Sequence, residues 1–292
     1  MIELPIDSDL SYASVMQIGS RHLRESGVLE SRLESRILLC HSAGLSAERI
    51  LSLSNKRVST EVLVPFLDAL RRRMSGEPIA YIMGVKEFWS LKFYVDNSTL
   101  IPRPDSETLV SAVINHLKKT DSSKTKILDL GTGSGCLLLS ILHSYPGIMG
   151  FGVDINESAC RVAARNAKHH GLNSRASFFN GDWAKAIGDR FDIVISNPPY
   201  IAAEEISSVS REVLEYEPQG ALFAGVDGLD SYRLIAKDIS RIIVSGGSVF
   251  IELAKDNSGN VKQVFEEEGF ICANIWRDLA NIERCAEFIR QK

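Results

Sequence analysis

The tetrapeptide Asn197-Pro198-Pro199-Tyr200 combines groups that can bind a planar amino group. It directly follows the apolar run 191–196, whose β-branched residues predict a buried strand that the two prolines end. Asn197 offers a carbonyl acceptor and an NH2 donor, the prolines present rigid carbonyls, and the Tyr200 ring can stack on a planar group. The exocyclic NH2 of an amide or of a nucleobase requires such a set. Because Asn and Pro are also turn residues, the alternative interpretation is a simple strand-ending turn.

A glycine-rich turn lies upstream, between a predicted strand at 126–130 and a predicted apolar helix at 136–142. Its pattern is G-x-G-x-G, whereas the dinucleotide fingerprint would need a third glycine at the position of Cys136, and no Gly-Lys-Ser/Thr follows. The pattern therefore argues against NAD, FAD and a P-loop nucleotide. The turn still lets backbone approach a ligand and opens a helix N-terminus that favours a carboxylate. The residues predicted to bind a ligand that carries such a carboxylate are Gly131, Thr132, Gly133, Ser134 and Gly135.

Two further predicted strands end in acidic residues. Asp154 closes the strand at 150–154, where its carboxylate can accept from both hydroxyls of a ribose, although it could instead cap the next helix. Asp182 and Trp183 follow a third strand and could hydrogen-bond and flank an adenine, although Trp183 could equally be a core residue. A carboxylate site, a ribose site and an adenine site without a phosphate cradle fit S-adenosylmethionine. With Asn197 beside them, these features resemble the class I methyltransferases that carry N-P-P-Y.

The segments outside these strand ends resemble one family within that class, the peptide chain release factor glutamine methyltransferases. The segments that carry the resemblance are 76–84, 87–91, 99–107, 216–222 and 227–232. Related enzymes that methylate a ribosomal protein tend to break the Pro-Arg-Pro sequence that is intact at 102–104. Three departures are Ser106 where Thr is usual, the missing His-Gly and Gln after Glu252, and Asn281 in place of Gly. Since Asn tolerates positive φ, we expect the last turn to persist.

The resemblance implies methyl transfer to the side-chain amide nitrogen of a glutamine in the Gly-Gly-Gln loop of release factors, with S-adenosylhomocysteine as product. Asn197 and the backbone carbonyl of Pro198 are then the catalytic groups, because they can accept the two amide protons and aim the nitrogen lone pair at the methyl group. Pro199 and Tyr200 would contact the substrate, and Asn197 would also lie beside the cofactor. No metal and no side-chain base are expected.

Two other function classes stay open beside the ribosomal-protein variant of the reaction. An adenine-N6 DNA methyltransferase would face the same amino-group problem after base flipping. The net charge of −4 and the absence of an inserted target-recognition segment argue against it. A non-catalytic scaffold is the second class, and the intact glycine turn, Asp154 and Asn197 argue against that. The resemblance implies release factors as the partners. No direct nucleic acid or membrane contact is expected, and the protein is expected to be a monomer.

The element pattern predicts an α/β protein with three regions. Residues 1–75 show helical periodicity in four or five short segments and would form a substrate-docking bundle. Residues 76–105 form a linker, in which the strand-like mix at 79–101 predicts a β-hairpin. Residues 106–292 would form the methyltransferase domain, for which the resemblance implies a doubly wound, seven-stranded sheet that closes with strands near 271–275 and 285–290.

Three further patterns concern surface charge, the state of the cysteines and the location of the protein. The triplet Arg71-Arg72-Arg73 is interpreted as the solvated end of a helix. The five cysteines are scattered without C-x-x-C, which predicts reduced thiols. No apolar stretch reaches transmembrane length, and the first five residues lack a signal-peptide pattern. The scattered cysteines and the lack of a transmembrane stretch and of a signal-peptide pattern together predict a cytoplasmic protein.

Overall fold

The computed structural model describes residues 10–120 and 124–290. The expectation about a signal peptide falls on the first residues, which lie outside this range. The helices are α1 (Tyr12–Glu25), α2 (Ser31–Ala43), α3 (Ala47–Ser52), α4 (Thr60–Met74), α5 (Ile79–Met83), α6 (Glu107–Leu117), α7 (Cys136–Ser144), α8 (Glu157–His169), α9 (Arg211–Tyr216), α10 (Asp230–Ile242) and α11 (Ser258–Glu267). The strands are β1 (Val85–Phe88), β2 (Leu91–Tyr94), β3 (Lys126–Leu130), β4 (Met149–Asp154), β5 (Ala176–Asn180), β6 (Phe191–Ser196), β7 (Ile243–Glu252), β8 (Phe270–Arg277) and β9 (Glu283–Arg290).

These elements divide into two compact units. Among the described residues, the first contains 10–84 together with α9, and the second contains 85–120, 124–210 and 217–290. The first unit is the helical bundle that the periodicity predicts, with five helices from its own segment. Its core includes Leu23, Leu38, Phe66 and Leu70, each fully buried. Apolar side chains at helical spacing thus bury one face of each helix against its neighbours.

The segment 79–83 departs from the sequence prediction. It forms the short helix α5 and not part of a strand-like region, and it ends at Gly84, whose φ of 68° suits a helix C-terminus. Ala80, Tyr81 and Ile82 are all buried in this single turn. Its apolar and aromatic composition therefore reflects burial, which a helix and a strand share.

Arg73 also departs from its prediction. The sequence predicts a solvated triplet at the end of α4, but Arg73 is buried, and its guanidinium pairs with Glu34 at 2.5 Å and with Glu212 at 2.9 Å. Glu212 belongs to α9, which the chain supplies from far downstream. Arg72 pairs with Glu77, so Arg71 is the member of the triplet that the structure leaves exposed. Charge partners distant in sequence explain why the local pattern is misleading here.

The second unit begins with the predicted hairpin. Strands β1 and β2 are antiparallel, with Val85 opposite Tyr94 and Phe88 opposite Leu91. The connecting residues Trp89 and Ser90 both have positive φ, at 54° and 59°, as the favoured two-residue hairpin turn requires. The hairpin buries Phe88 and Phe93 against the sheet domain that follows.

The seven-stranded sheet confirms the predicted fold. Its strand order is β5-β4-β3-β6-β7-β9-β8, with β3 to β7 parallel and β9 antiparallel to both neighbours. The chain builds one side of the sheet through β4 and β5, then returns to the other side of β3 through β6 and β7. The order thus reverses between β3 and β6, and ligands of open α/β sheets bind at such a switch point.

Apolar side chains cover both faces of the sheet, as a mainly parallel sheet requires. On one face α10 and α11 contribute Tyr232, Ile235, Ile239 and Phe265 to a buried cluster. On the other face α6 and α7 contribute Val113 and Leu138, among others. No helix in the described part of the chain is long and apolar enough to cross a membrane.

Candidate active site

A cavity of about 480 Å³ opens at the switch point between β3 and β6. It falls in the size range of small-molecule sites. The sequence-predicted residues that line it are Gly131, Thr132, Gly133, Ser134, Asp154, Asp182, Trp183, Asn197 and Pro199. Residues predicted separately from four strand ends thus meet at one cavity. Gly135, Pro198 and Tyr200 are the predicted site residues outside this lining.

The glycine turn joins β3 to α7 in a conformation that requires its glycines. Gly131, Gly133 and Gly135 have φ of 72°, 53° and 77°, in the left-handed region. A side chain at Gly135 would also press against Ala163 at 3.1 Å. Thr132 fixes the turn from the other side, because its hydroxyl donates to Oδ2 of Asp129 at 2.7 Å. The backbone of this turn is therefore held facing the cavity at the start of α7.

Asp154 is fixed by two backbone hydrogen bonds at the end of β4. Its Oδ2 accepts from the N–H of Gly133 at 2.8 Å, and its Oδ1 accepts from that of Asn156 at 2.9 Å. Burial raises the pKa of Asp154, while these two bonds oppose the rise. The side chain that caps α8 is Asn156, which accepts from the N–H of Ser158 at 2.9 Å. The carboxylate of Asp154 is thus held in place beside the glycine turn, and the residue lines the cavity.

The position of Trp183 is compatible with both interpretations of its role. Its ring packs against the core cluster of one sheet face, and it also lines the cavity. Its backbone adopts a φ of 48°, which is rare for a bulky residue and costs conformational energy. Ile155, 74% exposed, lines the same part of the cavity. Two large apolar groups at the edge of a cavity suit a flat ring such as adenine.

The tetrapeptide after β6 places Asn197 and Pro199 at the cavity wall. The Nδ2 of Asn197 donates to the hydroxyl of Ser106 at 3.2 Å. Pro198 is buried, and burial raises the pKa of Tyr200 to about 12, with the charge of Glu252 adding to the rise. Tyr200 packs against the sheet core. The side chain best placed to contact a bound molecule is therefore that of Asn197.

The wall opposite the glycine turn was not assigned from the sequence. It comes from 98–106 and 218–223, which include Pro102, Arg103 and Phe223. The buried carboxylate of Glu217 connects the two segments, because it accepts from the N–H of Ile101 at 3.0 Å and pairs with the guanidinium of Arg103. Both segments carry motifs of the family resemblance. No periodicity or spacing in one sequence links residues 114 positions apart.

Two buried carboxyl groups lie at strand ends beside the cavity lining. Burial raises the pKa of Asp129 to about 7, against the hydrogen bond from Thr132. Burial likewise raises the pKa of Glu252 to about 7, although hydrogen bonding from Ser106 and the charge of Arg284 favour its ionised form. Both carboxyl groups thus have a pKa well above the ordinary value, and strongly perturbed pKa values cluster at functional sites.

Family comparisons match most of the chain. The family described as methyltransferase small domain matches residues 105–220, and the one described as PrmC N-terminal domain matches residues 14–84. A release factor glutamine methyltransferase of Rhodospirillum rubrum is 38% identical over 96% of this chain and 85% of its own length. A protein of the same description from Agrobacterium fabrum is 34% identical over 97% of this chain and 98% of its own length.

Solved structures show the same fold at low sequence identity. A methyltransferase from Pyrococcus furiosus covers 77% of this chain and 99% of its own, with a TM-score of 0.52 and 16% identity. At this identity the likeness establishes the α/β methyltransferase architecture alone. Information about the chemistry comes instead from the two relatives of higher sequence identity described above.

Proposed function

The chain belongs to the family of release factor glutamine methyltransferases, and from this premise we propose that it transfers a methyl group from S-adenosylmethionine to a glutamine side-chain amide in release factors. One observation carries the proposal. A single cavity is lined both by the glycine turn with Asp154 and Trp183 and by Asn197. A donor held by the first set would lie next to an amide held by the second.

The residues present fit S-adenosylmethionine. Asp154, fixed by two backbone N–H groups, would accept from the ribose hydroxyls, and Trp183 and Ile155 would flank the adenine. The start of α7 would favour the carboxylate of the methionine part. When bound, the donor supplies an electrophilic methyl group on a sulfonium that is already a leaving group. Binding is therefore expected to need no metal.

The amide nitrogen is a weak nucleophile, because its lone pair is delocalised into the carbonyl. Asn197 Oδ1 and the Pro198 backbone carbonyl would accept its two protons and orient the lone pair toward the methyl group. Alignment of this kind can lower a barrier by about 7–11 kcal/mol. Among the described residues, the cavity lining contains neither His nor Lys. We propose that the proton released after transfer passes to water.

Methylation of purified release factor by the full chain tests this function. Mass spectrometry of the factor should show one added methyl group on the glutamine of its Gly-Gly-Gln loop, with S-adenosylhomocysteine formed in equal amount. A factor in which that glutamine is replaced by glutamate is the matched control and should remain unmodified. Labelling of duplex DNA or of a ribosomal protein, with none on the release factor, would instead support one of the alternative methyltransferases.

We propose further that the helical unit helps recognise the folded release factor. Its surface exposes Leu29 at 96% and Leu33 at 42%. Replacing both with Ser should raise KM for the intact factor, because apolar contact area is lost, while KM for a short Gly-Gly-Gln peptide stays unchanged. Equal effects on factor and peptide would contradict a docking role for this surface.

A further inference from the structure

Glu252 lies beside Asn197 at the carboxyl edge of the sheet. The pairing of β6 with β7 sets Ser196 opposite Ile251, so the next residues along both strands, Asn197 and Glu252, are neighbours. Glu252 is 2% exposed, and within the described part of the chain its Oε2 has no hydrogen-bond partner. A buried carboxyl group with an unused oxygen is energetically unfavourable. Its position next to the amide-binding residue therefore calls for an explanation.

The proposed role of Asn197 imposes an orientation on its side chain. Oδ1 must face the cavity to accept from the substrate, so Nδ2 must point the other way. Nδ2 donates to the hydroxyl of Ser106 at 3.2 Å, which is the required orientation. A serine hydroxyl can both donate and accept, so alone it would accept the opposite orientation equally well. A group that only accepts is needed to remove this ambiguity.

The carboxylate of Glu252 is such a group. Its ionised form is favoured by hydrogen bonding from Ser106 and, less strongly, from Asn197. A Ser106 hydroxyl that donates to this carboxylate has its proton committed, and its lone pairs can then accept from Nδ2 of Asn197. The carboxylate and the hydroxyl together thus leave Oδ1 free for the cavity.

We propose that Glu252, acting with Ser106, is a positioning residue that fixes the orientation of the Asn197 amide for methyl transfer. This inference rests on the proposed function, because it assumes that Asn197 Oδ1 accepts from the substrate. Glu252 itself does not line the cavity and touches the reaction only through Asn197.

The surroundings of Glu252 give the proposal a pH signature. Arg284 on β9 favours its ionised form, and Asp105, which pairs with Arg284 at 2.6 Å, disfavours it. Burial nonetheless raises the pKa of Glu252 to about 7. The other titratable groups that face it are Tyr200, Tyr232, Cys136 and Cys285.

Protonation gives Glu252 an O–H donor, which removes its preference for Nδ2 of Asn197. The amide can then turn so that Oδ1 accepts from Glu252 and no longer faces the cavity. The value of kcat should therefore fall as the pH decreases through the pKa of Glu252 near 7. The pKa values of these two tyrosines and two cysteines are raised above ordinary values that are already alkaline. None of the four groups therefore titrates near pH 7.

Steady-state kinetics of Glu252→Ala and Glu252→Gln test the proposal. The Ala variant should lower kcat by about 10²-fold, and Gln, which keeps an acceptor oxygen, should recover part of that loss. The Gln variant should also lose the decline of kcat at acidic pH. Calorimetric affinity for S-adenosylmethionine should stay within about twofold of wild type in both variants, because Asn197, not the cofactor, is displaced.

Glu287→Gln provides the matched control. Glu287 is also a buried carboxyl group of this sheet, but it pairs with His116 at 2.9 Å and lies on β9 opposite Phe250, not beside Asn197. Its replacement should leave kcat and its pH profile unchanged. Normal kcat in Glu252→Ala, or a loss of cofactor affinity as large as the loss of kcat, would overturn the positioning role.

The experiments distinguish a failure of the proposed function from a failure of the role of Glu252. If the wild-type protein methylates no release factor, the proposed function fails before any variant is compared. If the wild-type protein is active and Glu252→Gln keeps the wild-type pH profile, only the role of Glu252 fails.

Discussion

Replacing Asp129 by Asn should remove a pH dependence of stability that arises at the base of the glycine turn. Asp129 is fully buried on β3, its Oδ2 accepts from Thr132 at 2.7 Å, and its Oδ1 has no hydrogen-bond partner among the described residues. Burial raises its pKa from 3.8 to about 7. Between these two values the folded protein keeps a proton that the unfolded chain has lost. The free energy of unfolding must therefore fall as the pH rises through this range.

The size of the effect follows from the two pKa values. The difference between 3.8 and about 7, at 1.36 kcal/mol per pKa unit, amounts to about 4 kcal/mol. The amide of Asp129→Asn carries no charge, keeps one oxygen for the Thr132 hydroxyl, and places an unpaired NH2 where Oδ1 lies, at a cost of about 1–3 kcal/mol. Relative to wild type, the substitution should therefore become more favourable by about 3 kcal/mol between pH 5 and pH 8.

Urea unfolding at pH 5, 6, 7 and 8, without cofactor, measures this difference. Subtracting wild type from variant removes the contribution of Glu252, whose raised pKa gives a decline of the same sign in both proteins. Asp189→Asn is the control, because its carboxylate pairs with Lys126 and its pKa is lowered. Its contribution should instead be lost as the pH falls. A difference between Asp129→Asn and wild type that does not change with pH would refute the reasoning.

Three further predictions concern the site and the helical unit. Asn197→Ala should lower kcat and kcat/KM together by about 10²–10³-fold in steady-state assays, with a smaller change in cofactor affinity, because the amide acts in the transition state. Asp154→Ala should weaken S-adenosylmethionine binding by about 1–3 kcal/mol in calorimetry with a chelator present. Asp154→Asn keeps one acceptor oxygen and should weaken binding by less. Equal affinity in the wild type and both variants would contradict the ribose role. Arg73→Met should destabilise the helical unit by about 3 kcal/mol, seen as faster hydrogen exchange in α2, since the carboxylate of Glu34 loses its partner.

The sequence predicts the elements of the second unit well because their signals are local. A short, mainly apolar segment followed by a glycine turn, an acidic residue or a proline pair marks β3, β4 and β6 with their ends. Even the departure at Asn281 follows a local rule, since this residue adopts a φ of 63° where the family has Gly. At Asp256, in the altered segment after Glu252, φ is 61°, so this turn also uses a non-glycine residue in the left-handed region. The cavity could be predicted to this extent because parallel strands end at one edge.

The rest depends on contacts that one sequence does not encode locally. Arg73 looks like a solvated helix end until Glu34 and Glu212 are placed around it. Glu217 looks like a surface residue of a polar segment until its carboxylate is found to bind the N–H of Ile101. In each case a charge is buried because its partner comes from elsewhere in the chain. Pattern analysis assigns such residues to the surface, since unpaired charges are rarely buried.

The two buried carboxyl groups at the sheet edge should affect different steps of the same reaction. Asp129 acts on Thr132 and hence on the turn that would hold the cofactor, whereas Glu252 acts on Asn197, which would hold the substrate amide. Asp129→Asn should therefore change the affinity for S-adenosylmethionine more than it changes kcat at saturating cofactor. Glu252→Gln should do the reverse. If both variants lower the same parameter by the same factor, the two carboxyl groups only support the local packing of the sheet edge, and the separation of their roles is wrong.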